Sequence, residues 1–277
     1  VRPLRFVKYY DKGSTGFAAD QIAAALAERG VDARSIYARE AARERGALLV
    51  FIKTSKIQHL LAARLRGNLA LLDVHDTLVF KRRLKNAAFY AGAIFRSRRA
   101  AADYDRRGWR SRVIWHQGDP RYRPHEVPEG EFRAAYLGER RSLRLFGEIP
   151  GVDCIESDWF ARAPAYNCHL SVREPGREFL YKPGAKVSTA AACRAVLVTT
   201  RDVTAVEMLG ADYPFYCEPD RESIAAALAR ARAAQGGEEW RRALAILEEI
   251  RERTRMDRIL DESLAYFATF PGRAGAI

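Results

Sequence analysis

"ALLVFIKTSKIQHLLAARLRGNLALLDVH", residues 47–75, contains two short apolar runs separated by a stretch rich in leucine, alanine and arginine. "ALLVFIK" and "LALLDVH" read as strands, and "IQHLLAARLRG" between them reads as a helix. Strand, crossover helix and strand make the unit of a parallel sheet covered on both faces. The unit recurs on either side. "LRFVKYY" leads into "GFAADQIAAALAERG" and then "VDARSIYA". After residue 75 come the helical candidate "VFKRRLKNAAFY", the strand "AGAIFRS", the helix "RSRRAAADYDRRG" and the strand "SRVIWHQ".

The text changes at "PRYRPHEVPEG", where three prolines and a glycine lie among polar residues, the composition of a linker. Alternation then restarts with the strand candidates "FRAAYLG", "VDCIES", "YNCHLSV", "AVLVTT" and "YPFYC". Residues 220–269 are helical almost throughout, with apolar residues at spacings of three and four. The predicted fold is α/β, with two Rossmann-like doubly wound parallel-sheet domains and C-terminal helices. The expected domains are 1–124, 125–255, and a C-terminal helix over 256–277.

A chain of 277 residues, 48% hydrophobic and 30% charged, fits two compact domains that each bury a core. No run approaches the roughly 18 apolar residues of a membrane span. The opening "VRPLRFVKYY" reads as a strand and not as a cleavable signal, which points to the cytoplasm, with a trimmed leader as the alternative. Cys154, Cys168, Cys193 and Cys217 sit in or beside apolar segments without CxxC spacing, so they read as buried thiols and not as a zinc or disulfide framework. The net charge is +12, and residues 81–112 carry eleven basic side chains against two acidic ones, a surplus of nine. That region suits a solvated helix face or peripheral contact with an anionic membrane on the inner face. A nucleic-acid partner is not expected, because the aromatics lie mostly in apolar strands and helices instead of forming exposed platforms.

Ligands of open parallel sheets bind beyond the carboxyl ends of the strands. Four such places carry candidate residues. In "YYDKGSTGFAADQ", Gly13 and Gly16 let backbone approach a ligand, while Ser14 and Thr15 offer hydroxyls and N–H groups to a phosphate or sugar; a plain helix cap reads the residues equally well. In "LLDVHDTLVFK", Asp73, His75 and Asp76 follow a strand. A histidine beside carboxylates serves as a base, orients a hydroxyl or stabilises charge, and the alternative is a cap with His75 filling a polar gap. "VIWHQGDPRY" places His116 and Gln117 at a strand end beside the linker. "SVREPGREFLYKPGAK" brings Arg173, Arg177, Lys182 and Lys186 ahead of the small-residue helix "VSTAAACRA", with Ser188 and Thr189 in its first turns. A helix N-terminus with two lysines suits a diphosphate; a solvated loop balanced by Glu174 and Glu178 is the alternative.

In order, "RAAYLGERRSLRL", "IPGVDCIESDWF" and "YNCHLSVREPGREFLYKPGAKVSTAAACRAVLVTTRDVTAVEMLGADYPFYCEPD" resemble the C-terminal domain of GT-B glycosyltransferases, close to the bacterial family-four-like members with a KPxxK donor-site segment. The first half resembles their acceptor domain, so the resemblance covers nearly the whole chain. It implies transfer of a sugar from a nucleotide diphosphate donor to an acceptor hydroxyl, in the cleft between the halves, with no required metal and no cofactor beyond the donor. The acceptor implied is a saccharide or lipid-linked glycan of bacterial glycan synthesis. Lys182 and Lys186 would neutralise the departing diphosphate, Glu207 would hold ribose or sugar hydroxyls, and His75 and Asp76 would stand near the acceptor. Gly13, Ser14, Thr15, Gly16, His116, Arg177, Ser188 and Thr189 complete the expected donor set. The last helix would cross back to the first domain.

One departure is plain. Family-four retaining members carry two glutamates with seven residues between them ahead of "AMACG", and alignment on "AAACRA" puts Tyr181 and Thr189 there. No catalytic carboxylate is therefore carried over. For an inverting reaction the base falls to His75 or Asp76. A sugar-nucleotide epimerase of the same architecture and a non-catalytic sugar-nucleotide binder are the competing readings.

Overall fold

Residues 2–11, 13–53, 55–75, 84–144 and 146–270 are described by the computed structural model, apart from the side chains of Ser14, Leu84, Lys85, Arg177 and Glu178. Asp76 and the basic run 81–83 lie outside the described residues. Contacts divide the chain into two units. The first runs to Trp115 and takes in Tyr181–Pro183 and the C-terminal segment from Asp257; the second comprises His116–Leu180 and Gly184–Met256. The division after the first sheet thus falls at Trp115, nine residues before the expected boundary at 124.

The first unit holds a six-stranded sheet: β1 (Leu4–Lys8), β2 (Ala33–Tyr37), β3 (Leu48–Ile52), β4 (Leu69–Val74), β5 (Gly92–Phe95) and β6 (Arg112–Val113), in the order β2-β1-β3-β4-β5-β6. Every pairing is parallel. Residues of β1, β3 and β5 are buried along their whole length, because helices cover both faces. On one face Val7, Leu49, Phe51, Leu72, Val74 and Phe95 share a core cluster, the alternation that a period of two requires.

The second unit holds β7 (Ala134–Leu137), β8 (Val152–Ile155), β9 (Cys168–Ser171), β10 (Val196–Thr200) and β11 (Tyr216–Cys217), all parallel, in the order β11-β10-β9-β7-β8. Three helices follow, Arg221–Ala233, Glu238–Arg253 and Met256–Phe267. Cys168, Cys193 and Cys217 are buried free thiols, whereas Cys154 is only half-buried.

Some elements differ from the sequence reading. The strands read at "SRVIWHQ" and "YPFYC" shrink to two residues each, at one edge of each sheet. A short helix, Arg177–Tyr181, occupies what reads as loop. The described part of "VFKRRLKNAAFY" is a 3-10 helix, Leu84–Phe89.

The C-terminal helix is built into the first unit. Phe267 packs edge-on against Phe6 with ring centroids 6.0 Å apart, and the buried Tyr266 hydroxyl donates to the Arg110 carbonyl at 2.6 Å. This contact requires Gly92: a Cβ there would lie 1.8 Å from the Arg110 carbonyl oxygen and 2.8 Å from the Tyr266 hydroxyl. Gly92→Ala is expected to destabilise the protein by about 3 kcal/mol or more, read as a lower urea midpoint. An unchanged midpoint would mean that the Arg110 backbone moves aside at no cost.

Candidate functional site

Strand order reverses between β1 and β3 in the first sheet and between β7 and β9 in the second, and the crevice beyond the carboxyl ends at such a reversal is where these sheets bind ligands.

At the ends of β3, β4 and β5, four polar residues gather. The buried Asp73 carboxylate receives the Arg96 guanidinium through Nε at 3.0 Å and through Nη2, while His75 Nε2 stands 3.0 Å from Asp73 Oδ1. Arg96 Nη1 also donates to the carbonyl of Ile114 at 3.1 Å, which ties the ends of β4, β5 and β6 together. Burial alone would raise the Asp73 pKa, but Arg96 and His75 outweigh it and hold the carboxyl well below the usual range. Burial pushes the His75 pKa down, with Asp73 opposing and the charges of Arg96 and Lys53 adding to the depression, so the ring is neutral near pH 7. The Nε2 edge of the ring is turned to the Asp73 carboxylate. Lys53 adopts a left-handed backbone, φ 60°, directly after β3, and its N–H donates to the Asp73 carbonyl at 2.9 Å. A non-glycine residue held there stores strain of a kind that concentrates at functional positions. His75 and Asp73 come together as a cluster; the expected partner Asp76 lies outside the described residues.

The Gly13–Gly16 stretch is not a loop. Gly13–Thr15 is α-helical and runs into a π-helical segment, Gly16–Gln21, before the helix Ile22–Glu28. The Thr15 hydroxyl is buried and donates to the Tyr10 carbonyl at 2.9 Å, so it anchors the turn and does not point outward. A Cβ at Gly16 would meet only Asp20, 3.9 Å away. What stands at the end of β1 is an ionic cluster absent from the expected set: Lys8 Nζ lies 2.8 Å from both Asp11 and Asp20, and the Tyr37 hydroxyl donates to Asp11 at 2.5 Å.

In the second sheet the small-residue helix is Ala185–Ala192, so Lys186 lies inside its first turn and not ahead of it. Gly184 is the N-cap and sits against the helix Val203–Leu209; a Cβ there would fall 2.2 Å from the Met208 sulfur. Lys186 Nζ stands 3.3 Å from the centroid of the Tyr136 ring at the end of β7, a cation over a π face. Arg173, just past β9, acts electrostatically on the same Tyr136, and Arg140 with Lys186 acts on Cys154 of β8. Arg173 is fixed by the buried Asp202 carboxylate, Nη1 to Oδ2 at 2.5 Å, while Asp202 accepts from Ala205 N–H as the cap of the next helix. Glu139 and Glu156 act on the same two residues with the opposite sign, and Glu156 accepts from the Arg140 N–H at 2.7 Å, so the ends of β7 and β8 carry charges of both signs.

Two expected hydroxyls serve the scaffold. Ser188 is buried and donates to the His116 carbonyl at 3.0 Å, which brings His116 to the Ala185–Ala192 helix. Thr189 stands beside Tyr122. Glu207 is half-buried on the Val203–Leu209 helix. Lys182 is half-buried and belongs with Tyr181–Pro183 to the first unit. Tyr181, where the aligned family carries a glutamate, donates its hydroxyl to Asp103 at 2.8 Å. The Arg177 side chain lies outside the described set. Tyr136, Arg140 and Arg96 are additions of the structure, and their linear spacing gives no motif by which to find them. Among the described residues no three His, Cys, Asp or Glu side chains gather as a metal site.

No family model matches the chain, and no curated protein matches it. Solved structures do. HepE of Anabaena, in complex with UDP and glucose, superposes with a TM-score of 0.69 at 12% identity, covering 98% of this chain and 100% of its own. Sucrose-phosphate synthase of Thermosynechococcus elongatus gives 0.71 at 13%, covering 97% and 99%. A glycosyltransferase of Rickettsia africae gives 0.69 at 12%, covering 96% and 97%. The fold is the GT-B fold of these proteins. At such identities the likeness is one of architecture, and the residues of the site have to be argued on their own chemistry.

Because the folded pKa of Asp73 lies below its unfolded value, its contribution to stability is present above the ordinary carboxylate range and is lost as pH falls through that range and below. Asp73→Asn leaves the Arg96 charge buried without its carboxylate. The expected cost is about 3–5 kcal/mol at neutral pH, with a flatter loss of stability on acidification than in the parent protein. Denaturant titrations at several pH values check both parts.

Proposed function

We propose that this protein is a glycosyltransferase that moves a sugar from a nucleoside diphosphate donor to an acceptor hydroxyl. The observation that carries the reading is Lys186, in the first turn of the Ala185–Ala192 helix and over the Tyr136 ring of β7, together with Arg173 held by Asp202 just past β9. Charged donors at a helix N-terminus next to a strand-order reversal suit a diphosphate leaving group. The full-length likeness to glycosyltransferase structures, HepE with UDP-glucose among them, supports the same class.

In this reading the C1–O bond to the β-phosphate breaks as the acceptor oxygen forms its bond to C1. Lys186 and Lys182, the lysines of the KPxxK segment, together with Arg173, stabilise the charge that develops on the diphosphate. The acceptor proton passes to a base, and the neutral His75, beside Asp73 at the end of β4, is assigned that task. Asp76 is the alternative base, and Glu207 holds hydroxyls of the donor. Catalysis needs only the donor as co-substrate. The acceptor is a saccharide or lipid-linked glycan, and the basic region 81–112 places the enzyme on the inner membrane face where such acceptors are anchored.

The test is a thermal-shift panel of uridine, guanosine, cytidine, adenosine and thymidine diphosphates on the parent protein and on Lys182→Ala and Lys186→Ala. One diphosphate should raise Tm by several degrees, since a ligand at about 100 times its Kd adds about 2.7 kcal/mol. The Lys186→Ala shift should shrink to near zero. Absence of a shift with every diphosphate would remove the reading, and a shift unaltered by both substitutions would move the donor site elsewhere. His75→Gln should lower kcat by roughly 100-fold or more with the diphosphate shift intact.

A further inference from the structure

The helix Ile57–Leu65 is apolar on two faces. Leu60 and Ala63 are buried on the core side, which is what a helix on a sheet requires. Ile57, Leu61 and Leu65, spaced i, i+4 and i+8, are 42%, 44% and 85% exposed. They form one ridge and are three of the four large apolar side chains standing exposed among the described residues. A soluble helix face of this kind ordinarily carries charge instead.

The ridge has a rim of one sign. Lys56, Arg64 and Arg66 are exposed beside it, and from Arg45 to Leu72 the sequence contains five cations and no aspartate or glutamate. The helix packs against the 3-10 helix Leu84–Phe89, which in the chain directly follows Lys81, Arg82 and Arg83. The element packed on this helix is thus continuous in sequence with the most basic region of the chain.

We propose that the helix Ile57–Leu65 docks on an anionic phospholipid surface, with Ile57, Leu61 and Leu65 entering the interface and Lys56, Arg64 and Arg66 on the lipid phosphates. Charge complementarity selects this occupant. A second copy of the chain would face cation with cation across a two-fold contact, which is repulsive. A bilayer offers both complements at once, acyl chains for the ridge and phosphates for the rim. At nine residues the helix is about 13 Å long, far short of a span, so the contact is peripheral. The proposal extends the membrane contact argued for residues 81–112 to a separate element that supplies its apolar part, and it does not depend on the chemistry of sugar transfer.

Co-sedimentation with vesicles of phosphatidylcholine alone, and of phosphatidylcholine with a third phosphatidylglycerol, tests it on the full chain. The parent protein should bind the anionic vesicles, less at high salt, and the neutral ones weakly. Leu61→Gln with Leu65→Gln should weaken anionic binding by roughly ten-fold, and Arg64→Gln with Arg66→Gln should weaken it and reduce the salt dependence. These side chains are exposed, so thermal stability and the nucleoside diphosphate shift should stay at the parent values in both variants, which separates this outcome from that of the donor site. Three results would overturn the proposal: no vesicle binding by the parent; binding that survives the leucine substitutions but vanishes in Arg82→Gln with Arg83→Gln, which is electrostatics alone; or a dimer of the parent that the leucine substitutions convert to monomer.

Discussion

Strands buried on both faces leave no place along their length for a group that must meet water or a ligand. In β1, β3, β5, β9 and β10 every residue is buried, and a polar group inserted mid-strand would have to be desolvated at a cost of about 1–3 kcal/mol or more. Chemistry is therefore driven to the ends, and parallel order puts all carboxyl ends on one side of each sheet. That constraint explains why Lys8, Lys53, Asp73, His75 and Arg96 collect at one edge of the first sheet and Tyr136, Arg173 and Asp202 at the matching edge of the second.

The buried charges at those edges follow a second rule. An ionised side chain survives burial when a partner of opposite charge and further hydrogen bonds replace its water. Arg96 satisfies it with a carboxylate and a strand-end carbonyl, Arg173 with Asp202 and a half-open position. Both pairs also fix where strands stop: Arg96 links three strand ends, and the Arg173 backbone N–H is hydrogen-bonded to Thr200 at the end of β10. Lys186 is placed differently, with its ammonium over an aromatic face.

Much of this was legible in the sequence, and the limits have physical causes. The apolar runs and alanine-rich intervals announce two parallel sheets because burial on both faces leaves an unmistakable compositional mark. Strand ends, and so His75 and Lys186, follow from the same pattern. Arg96 does not, because its partner is 23 residues away and only sheet register brings them together. Gly13–Gly16 reads as a flexible loop by composition, yet the helix propagates back through it, held by the Thr15 hydroxyl. Ile57, Leu61 and Leu65 have the spacing of a core stripe, and nothing local says that Leu60 and Ala63 already fill that role. Likewise Ser188 is marked by its position in the first turns of the helix, but its bond to the His116 carbonyl is a long-range fact.

The docking of the C-terminal helix has a bearing on how the chain is made. Phe267, Tyr266 and Phe270 complete the core around Phe6, Gly92 and Arg110, residues synthesised long before them. On the ribosome the first sheet emerges early but lacks these residues until its last helix is made, whereas the helix Glu238–Arg253, whose Trp240 packs on Phe215, completes the second unit before that. The half translated first is therefore the half finished last.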